Sequence, residues 1–264
     1  MRMPWLLRGY AAVFYAFLYM PIGVMVVLSF NDSQIMGFPL IGFTLRWYGE
    51  ALAEGALLRA LWNSFVVGFV ASLVATALAL MIALGLRHRV PFRGAVLPVI
   101  LIPIITPGIV SGVLLYVSFG VLGLPYGLST AVIAAHVTWV LPFAFLTLYP
   151  QLHRFDRSIE EAAMDLGATP WVVFRRVILP LIRPAIIATL LFSFTLSFDE
   201  FIRTLFVVGS QRTTPVYLWL LIAEQMAPFL PAVGVMIMLV SIVVAGVGFW
   251  VSGRAAKLAA RVEG

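Results

Sequence analysis

Cysteine is absent from the 264-residue chain, and lysine occurs once, as Lys257. Without cysteine there is no disulfide framework, thiol nucleophile or thiolate metal site. No glycine-rich loop precedes Lys257, which excludes a phosphate-binding loop of the G-x-x-x-x-G-K-[ST] type. Neither H-E-x-x-H nor G-x-S-x-G occurs, and His/Asp clusters are missing. A membrane enzyme is therefore a poor hypothesis, and any ATP hydrolysis must take place on another chain.

Charged residues are also scarce. They make up 11% of the chain, against about a quarter of an average soluble domain. Hydrophobic residues make up 62%, and the mean hydropathy is +1.07. This composition is typical of a polytopic membrane protein. The net charge of +6 must then be interpreted loop by loop, and no nucleic-acid partner is needed to explain it.

Six apolar runs are long enough to span a membrane, since about 20 helical residues cross the hydrocarbon core. They cover residues 10–30, 60–86, 95–119, 129–149, 182–208 and 229–252. The first run is longer than a signal-peptide core, and residues 28–31 offer no small-x-small cleavage site, so we expect it to stay uncleaved. The sequence thus predicts an all-α protein with one transmembrane domain, residues 1–264.

Prolines interrupt the third run. Pro98, Pro103 and the pair Pro107-Gly108 predict a broken helix. Irregular backbone at membrane depth is tolerated only where it is buried in protein or lines a cavity. The third run therefore lies beside a transport pathway, or it is a kinked helix that serves packing alone.

The basic residues are distributed unevenly between the two sides of this topology. Arg46, Arg59 and Arg212 lie on one side, and Arg203 lies inside a span. The other side holds the remaining thirteen, which are Arg2, Arg8, Arg87, Arg89, Arg93, Arg154, Arg157, Arg175, Arg176, Arg183, Arg254, Lys257 and Arg261. Cytoplasmic loops carry the excess of basic residues. We therefore predict that both termini and the loop 151–181 are cytoplasmic.

The loop 151–181 is the longest polar interruption, and its pattern predicts helix, turn, helix. Asp156 or Ser158 can cap the first helix, and the spacing of Ser158 and Glu161 is that of a capping box. Gly167 ends this helix as the residue after its C-cap. Thr169-Pro170 then begins the second helix, with threonine as N-cap and proline at the first helical position.

This loop resembles the EAA loop of permease subunits in bacterial binding-protein-dependent ABC importers. The residues that carry the resemblance are Glu161, Ala162, Ala163, Gly167, Leu179 and Pro180, with Val177 where the pattern usually has isoleucine. The resemblance implies the type I importer permease fold and a cytoplasmic coupling helix that docks on an ATPase subunit. An ordinary amphipathic hairpin would not need every one of these positions filled.

The resemblance also implies the partners. They are a related permease subunit, two ATPase subunits that hold ATP and Mg²⁺, and an extracytoplasmic solute-binding protein, all at a bacterial inner membrane. No cofactor is expected on this chain. Six spans form half of a pathway, because transporter sites lie between repeated bundles, and the chain has no evident internal repeat.

The external half of the fifth run carries three ionisable residues, Asp199, Glu200 and Arg203. Such groups cost at least about 2.5 kcal/mol each inside a bilayer unless they are compensated. Arg203 is placed to neutralise either carboxylate, at i,i+4 or i,i+3, which leaves one negative charge for a cationic substrate. A purely structural ion pair is the alternative. For Asp199 the structural and the pathway role both stay open, whereas for Glu200 the pathway role is favoured.

The segment Phe194 to Phe201 and the turn Thr213-Thr214-Pro215 resemble the second permease subunit of spermidine/putrescine-type importers. The chain has Gly108 where many of those permeases carry an acid. The solute therefore stays open among polyamines, other amines, amino-acid derivatives and aminophosphonates. A self-contained secondary transporter or channel that couples ions through Asp199, Glu200 and Arg203 is the competing hypothesis. His136, alone in its span, is interpreted as a packing residue.

Overall fold

The computed structural model describes residues 5–87, 91, 93–154, 156–224, 226–243 and 246. Within these ranges every regular element is helical, apart from an isolated bridge between Asn31 and Phe43. The all-α class predicted from the sequence is confirmed. The distal part of the sixth predicted span, 229–252, lies outside the described residues, as do Arg2, Arg89, Arg254, Lys257 and Arg261.

The described helices follow the apolar runs and the polar loop in chain order. They are α1 Trp5–Leu28, α2 Arg46–Ala53, α3 Gly55–Gly85, α4 Arg93–Ile105, α5 Gly108–Val121, α6 Ile133–His153, α7 Arg157–Asp165, α8 Pro170–Val173, α9 Leu179–Phe198, α10 Ile202–Val207, α11 Thr214–Glu224 and α12 Leu230–Val243. A π-helical turn, Leu128–Val132, leads into α6, and another, Phe174–Ile178, joins α8 to α9. These two turns extend α6 and α9 into longer continuous rods.

Four of the described helical rods are long and apolar enough to cross a membrane. They are Trp5–Leu28, Gly55–Gly85, Leu128–His153 and Pro170–Phe198, and they coincide with the first, second, fourth and fifth apolar runs. The pair α4 and α5 passes the same test only when it is counted as one broken span. The count of six spans remains a prediction.

The third run is not one continuous helix. The axes of α4 and α5 differ by 103° across a break at Thr106 and Pro107. Pro98 and Pro103 lie inside α4 and do not end it, so the expectation that all three prolines interrupt the helix is wrong. Proline disfavours the helical conformation of the residue before it, and Gly108 follows with no side chain, so the bend falls at Pro107.

The fifth run is also divided, which the sequence did not predict. The rod that starts at Pro170 ends at Phe198, and α10 begins again at Ile202. Three residues, Asp199 to Phe201, are therefore outside the helices at the end of an apolar rod. A helix break in hydrocarbon frees backbone groups that must find other partners.

The described residues divide into two compact units, one within 59–216 together with 246 and the other within 5–58 and 217–243. The core of the first unit is apolar and lies where the ends of α3, α4, α6 and α9 meet. Its buried members include Ala83, Ile100, Phe145, Leu148 and Ile182.

The second unit contains α1, α2 and α12. No residue of α1 is buried, which fits a helix that faces lipid or another chain. The polar segment after α1 is held by Asn31, whose carbonyl accepts a hydrogen bond from Trp47 Nε1 at 2.8 Å and whose side chain accepts one from the Ile41 amide at 2.9 Å. Trp47 is buried, so this segment has a small core of its own.

The contact between α5 and α10 yields a stability prediction. A Cβ atom at Gly112 would clash with the Phe206 ring, so Gly112→Ala forces the ring or the two helices to move apart. Overpacking of this kind costs about 1–3 kcal/mol. We expect a lower thermal midpoint of the purified protein. Gly49→Ala, in exposed α2 with nothing within 4 Å, is the matched control and should leave the midpoint unchanged or raise it. Equal midpoints for both variants would contradict the close α5–α10 contact.

Candidate functional site

The first candidate site is the segment 151–181. Helix α7 begins at Arg157, and Asp156 is its N-cap, with a carboxylate oxygen that accepts a hydrogen bond from the Ser158 amide at 2.9 Å. This hydrogen bond lowers the pKa of Asp156. Of the two predicted caps, Asp156 is therefore confirmed. The capping box of Ser158 and Glu161 is wrong, because Ser158 is already the second helical residue.

Gly167 ends α7 as predicted. Its φ is +87°, in the left-handed region, and its amide donates to the Met164 carbonyl at 2.8 Å. The Ala168 amide donates to the Ala163 carbonyl at 3.1 Å, which completes a Schellman motif. No atom lies within 4 Å of a Cβ at Gly167, so the backbone conformation, and not the available space, requires glycine.

The second helix of the predicted pair starts at Pro170, with Thr169 as N-cap, as expected. It does not end within the loop. It continues through α9 to Phe198 as one rod of 29 residues, about 43 Å at 1.5 Å per residue. Leu179 and Pro180 form the first turn of α9 within this rod. The segment after Gly167 is thus the first part of a helix that is long and apolar enough to cross a membrane.

The remaining residues of the EAA pattern lie on two sides of α7. Ala163 is half-buried and packs against the apolar core, whereas Glu161 and Ala162 are exposed. Leu166 is 90% exposed and Met164 is 45% exposed. One side of α7 therefore holds it to the protein, and the other presents apolar and acidic groups to the surroundings.

Helix α7 is fixed in place by an ion pair that no sequence pattern indicated. Glu160 forms a buried ion pair with Arg87, which follows α3. Arg87 Nη1 also donates to the Leu152 carbonyl, near the end of α6, at 3.1 Å. One arginine thus connects α3, α6 and α7. In the sequence Glu160 is one of several acids on a polar face, and nothing there distinguishes it.

The second candidate site surrounds the break between α9 and α10. The carboxylate of Glu200 accepts hydrogen bonds from the Arg203 amide at 2.9 Å and from Arg203 Nη1 at 3.1 Å. Both side chains are buried, with 7% and 5% of their surface exposed. The Arg203 guanidinium also lies over the Trp139 ring, 3.9 Å from its centroid. Arg203 is therefore held by a carboxylate and by an aromatic face.

His136 connects the two sides of this break. Its Nδ1 lies 2.6 Å from Oγ of Ser197, in α9, and its Nε2 lies 2.7 Å from Oγ1 of Thr204, in α10. The Thr204 hydroxyl donates to the Glu200 carbonyl at 2.9 Å. All three side chains are buried. His136 is a packing residue, as predicted, and it joins two helix ends. The feature of the sequence that singled it out was its position as the only histidine in a predicted span.

The carboxylate that pairs with Arg203 is Glu200, and not Asp199. Asp199 is the C-cap of α9 and is exposed, and within the described part of the chain no ion pair or side-chain hydrogen bond involves it. The structural alternative of an Asp199–Arg203 ion pair is therefore not found among the described residues, and Glu200 forms the pair with Arg203. The i,i+4 spacing assumed a continuous helix, and the break after Phe198 removes that geometry.

Two solved structures with this arrangement of helices are ABC transporters. The chain aligns with a bacterial ABC transporter involved in the import of the acidic polysaccharide alginate over 95% of its own length and 96% of the other chain, with TM-score 0.74 and 18% identity. It aligns with the inward-facing MetNI methionine ABC transporter over 75% and 95%, with TM-score 0.60 and 18% identity. These likenesses show the type I importer permease fold.

Relatives in sequence define the family. Over 242 residues, 90% of each chain, it is 34% identical to the spermidine/putrescine transport system permease protein PotC of Escherichia coli K12. It is 33% identical over 268 residues to the putrescine transport system permease protein PotI of the same organism, covering 97% of this chain and 93% of the relative. A family described as binding-protein-dependent transport system inner membrane component matches residues 75–257. The chain belongs to this family and is a transport component of an ABC importer.

The geometry at Gly167 yields a prediction about coupling. Gly167→Val places a β-branched residue at φ +87° and should abolish uptake by the assembled importer, together with substrate-stimulated ATP hydrolysis. Gly167→Asn is the matched control, because asparagine tolerates the left-handed conformation and meets no nearby atom. It should retain most activity. Normal stimulated hydrolysis with valine would contradict a role for this bend.

Proposed function

We propose that this chain forms half of the translocation pathway for a polyamine or a closely related amine in a bacterial inner membrane. The observation that carries the solute class is the similarity to PotC and PotI over at least 90% of this chain, since both relatives are named for polyamine transport. Other amines, amino-acid derivatives and aminophosphonates are the alternative solutes, because the chain has Gly108 where many polyamine permeases carry an acid and is only 33–34% identical to these relatives. The proposal that the chain takes part in transport is supported by its membership of the binding-protein-dependent transport family.

The complete importer in this proposal has five parts. This chain pairs with a related permease, two ATPase subunits dock on the 151–181 loops and hold ATP and Mg²⁺, and an extracytoplasmic protein delivers the solute. The chain carries no cofactor, spans the membrane six times as one domain, and keeps both termini in the cytoplasm. A structurally similar alginate ABC transporter was solved in complex with a periplasmic protein, which supports the delivery step by analogy of fold.

The proposed coupling route follows the covalent chain. The exposed side of α7, with Glu161, Ala162 and Leu166, meets the ATPase. The Gly167 bend fixes the angle between α7 and the rod that begins at Pro170. That rod ends at Phe198, beside the break that holds Glu200 and Arg203. A tilt of the cytoplasmic end of this rod therefore reaches the site in the bilayer without an intervening flexible joint.

Asp199 is the residue that we propose to meet the solute. Its carboxylate is exposed, whereas the charge of Glu200 is already compensated by Arg203. An ammonium group near an unpaired carboxylate in a low-dielectric site gains more than it would in water. Glu200 and Arg203 are then structural, and they hold the helix end that presents Asp199.

The competing hypothesis of a self-contained, ion-coupled transporter has less support. It requires Asp199, Glu200 and Arg203 to exchange ions, but two of these three form a buried pair with two hydrogen bonds. Separating such a pair leaves an uncompensated buried charge, which costs about 3–5 kcal/mol. Purified permease alone in liposomes should therefore show no gradient-driven transport.

Variants of the two carboxylates separate the pathway role from the structural role. We expect Asp199→Asn to lower uptake of labelled putrescine strongly while the yield and thermal midpoint of the complex stay unchanged. Glu200→Gln should lower the midpoint and the yield, because it leaves the Arg203 charge unpaired in the bundle. Uptake at the unmodified rate by Asp199→Asn would remove this residue from the pathway.

The solute class has its own test. The importer, assembled with its ATPase and binding protein in liposomes, should accumulate labelled spermidine or putrescine when ATP is enclosed on the cytoplasmic side. Unlabelled polyamines should compete, whereas neutral sugars should not. Accumulation of another amine, with no effect of either polyamine, would retain the importer assignment and reject polyamines as the substrate.

A further inference from the structure

A pocket lined by basic residues opens beside α7, at the start of the segment 151–181. It has a volume of about 230 Å³ and lies among the ends of four helices. The residues that line it are Leu86, Arg87, Arg93, Leu152, His153 and Arg157. Arg93 begins α4, His153 ends α6 and Arg157 begins α7, so the pocket joins two membrane helices to the segment proposed to contact the ATPase.

The charges in this pocket are poorly balanced. Arg87 is compensated by Glu160, but none of the described residues that line the pocket is acidic. The side-chain contact of Arg93 is with another nitrogen group, His153 Nε2, at 3.4 Å. Asp156, next to Arg157, accepts the Ser158 amide and does not line the pocket. Like charges close together repel one another, so an anion in the pocket would lower the electrostatic energy.

The helix ends add to this imbalance. Arg93 and Arg157 are each the first residue of a helix, where the backbone dipole is positive and a cation is unfavourable. The same ends favour an anion. A site with two exposed arginines at two helix N-termini is therefore electrostatically complementary to a compact, multiply hydrogen-bonding anion. Phosphate oxygens match the guanidinium group in geometry, because they accept two parallel hydrogen bonds.

We propose that this pocket binds a phosphate group, which links the start of α4 to the start of α7. A phospholipid headgroup is the favoured source, since α4 and α6 are membrane helices and Leu86 and Leu152 provide an apolar wall beside the arginines. Basic pockets between membrane helices on the cytoplasmic side are a known way of holding anionic lipid. Free phosphate is the other source of the same chemistry.

The consequence for coupling rests on the proposed function. If α7 contacts an ATPase, an anionic lipid that holds Arg157 beside Arg93 stabilises α7 in its docked position. Stimulated ATP hydrolysis should then increase with the fraction of anionic lipid. Binding itself does not depend on this step, so its measurement can succeed or fail independently of transport.

The binding test uses the importer complex in nanodiscs of phosphatidylcholine, with and without phosphatidylglycerol. Native mass spectrometry counts the phospholipid retained after mild delipidation. For the double variant Arg93→Gln, Arg157→Gln we expect about tenfold less retained phosphatidylglycerol, because two charge-assisted contacts are lost. The matched control is Arg183→Gln, which removes an exposed arginine of α9 outside the pocket. Equal retention by the double variant and this control would exclude a phospholipid headgroup as the occupant of the pocket.

Two further arms separate the source of the phosphate and the role of geometry. In the first arm, inorganic phosphate is added to the complex. The pocket would be assigned to free phosphate if the phosphate displaced no lipid and bound with a Kd that rises in the double variant. The variant Arg93→Lys, Arg157→Lys retains the charges without the paired donors and should recover part of the binding. Thermal midpoints equal to that of the unmodified complex show that both double variants are folded. Unchanged phosphatidylglycerol and phosphate binding in the glutamine variant would reject the proposal.

Discussion

The buried pair of Glu200 and Arg203 is the interaction on which the membrane-embedded site depends. A helix that stops at Phe198 exposes backbone groups inside an apolar rod, and hydrocarbon supplies no water to satisfy them. The Glu200 carboxylate accepts the Arg203 amide and the guanidinium, and His136 joins the hydroxyls on both sides of the break. Only with these contacts can α10 begin again at Ile202. The close approach of Phe206 to Gly112 on α5 then follows.

The same break gives a physical link between the two candidate sites. The rod Pro170–Phe198 is continuous, so it joins the Gly167 bend at one end to the break after Phe198 at the other. If α9 continued through Asp199, this residue would lie in the interior of a helix. The break makes it a C-cap residue instead. Exposure of Asp199 is thus a consequence of the contacts made by Glu200.

The sequence predicted the features that depend on local chemistry. Gly167 could be assigned because a left-handed residue after an amphipathic helix favours glycine, and the helical runs followed from apolar length. The partner of Arg203 could not be assigned, because i,i+3 and i,i+4 spacings are both plausible until the helix break is known. The ion pair of Arg87 with Glu160 connects residues far apart in the chain, and no local pattern indicates it. The periodicity of the sequence therefore predicted the helices but not the side-chain contacts between them.

If the solute is a polyamine, as proposed, the charge at the break also limits how tightly this chain can bind it. Putrescine carries two amine groups and spermidine three, whereas the described part of this site offers one exposed carboxylate, Asp199. A site that matched every ammonium would bind tightly and release slowly, and conduction needs binding that is weak enough to allow exit. A single carboxylate on this chain, with further acceptors or aromatic faces from the partner permease, satisfies that requirement. The neutral Glu200–Arg203 pair then has a second effect, because it prevents a second carboxylate beside Asp199 from trapping the cation.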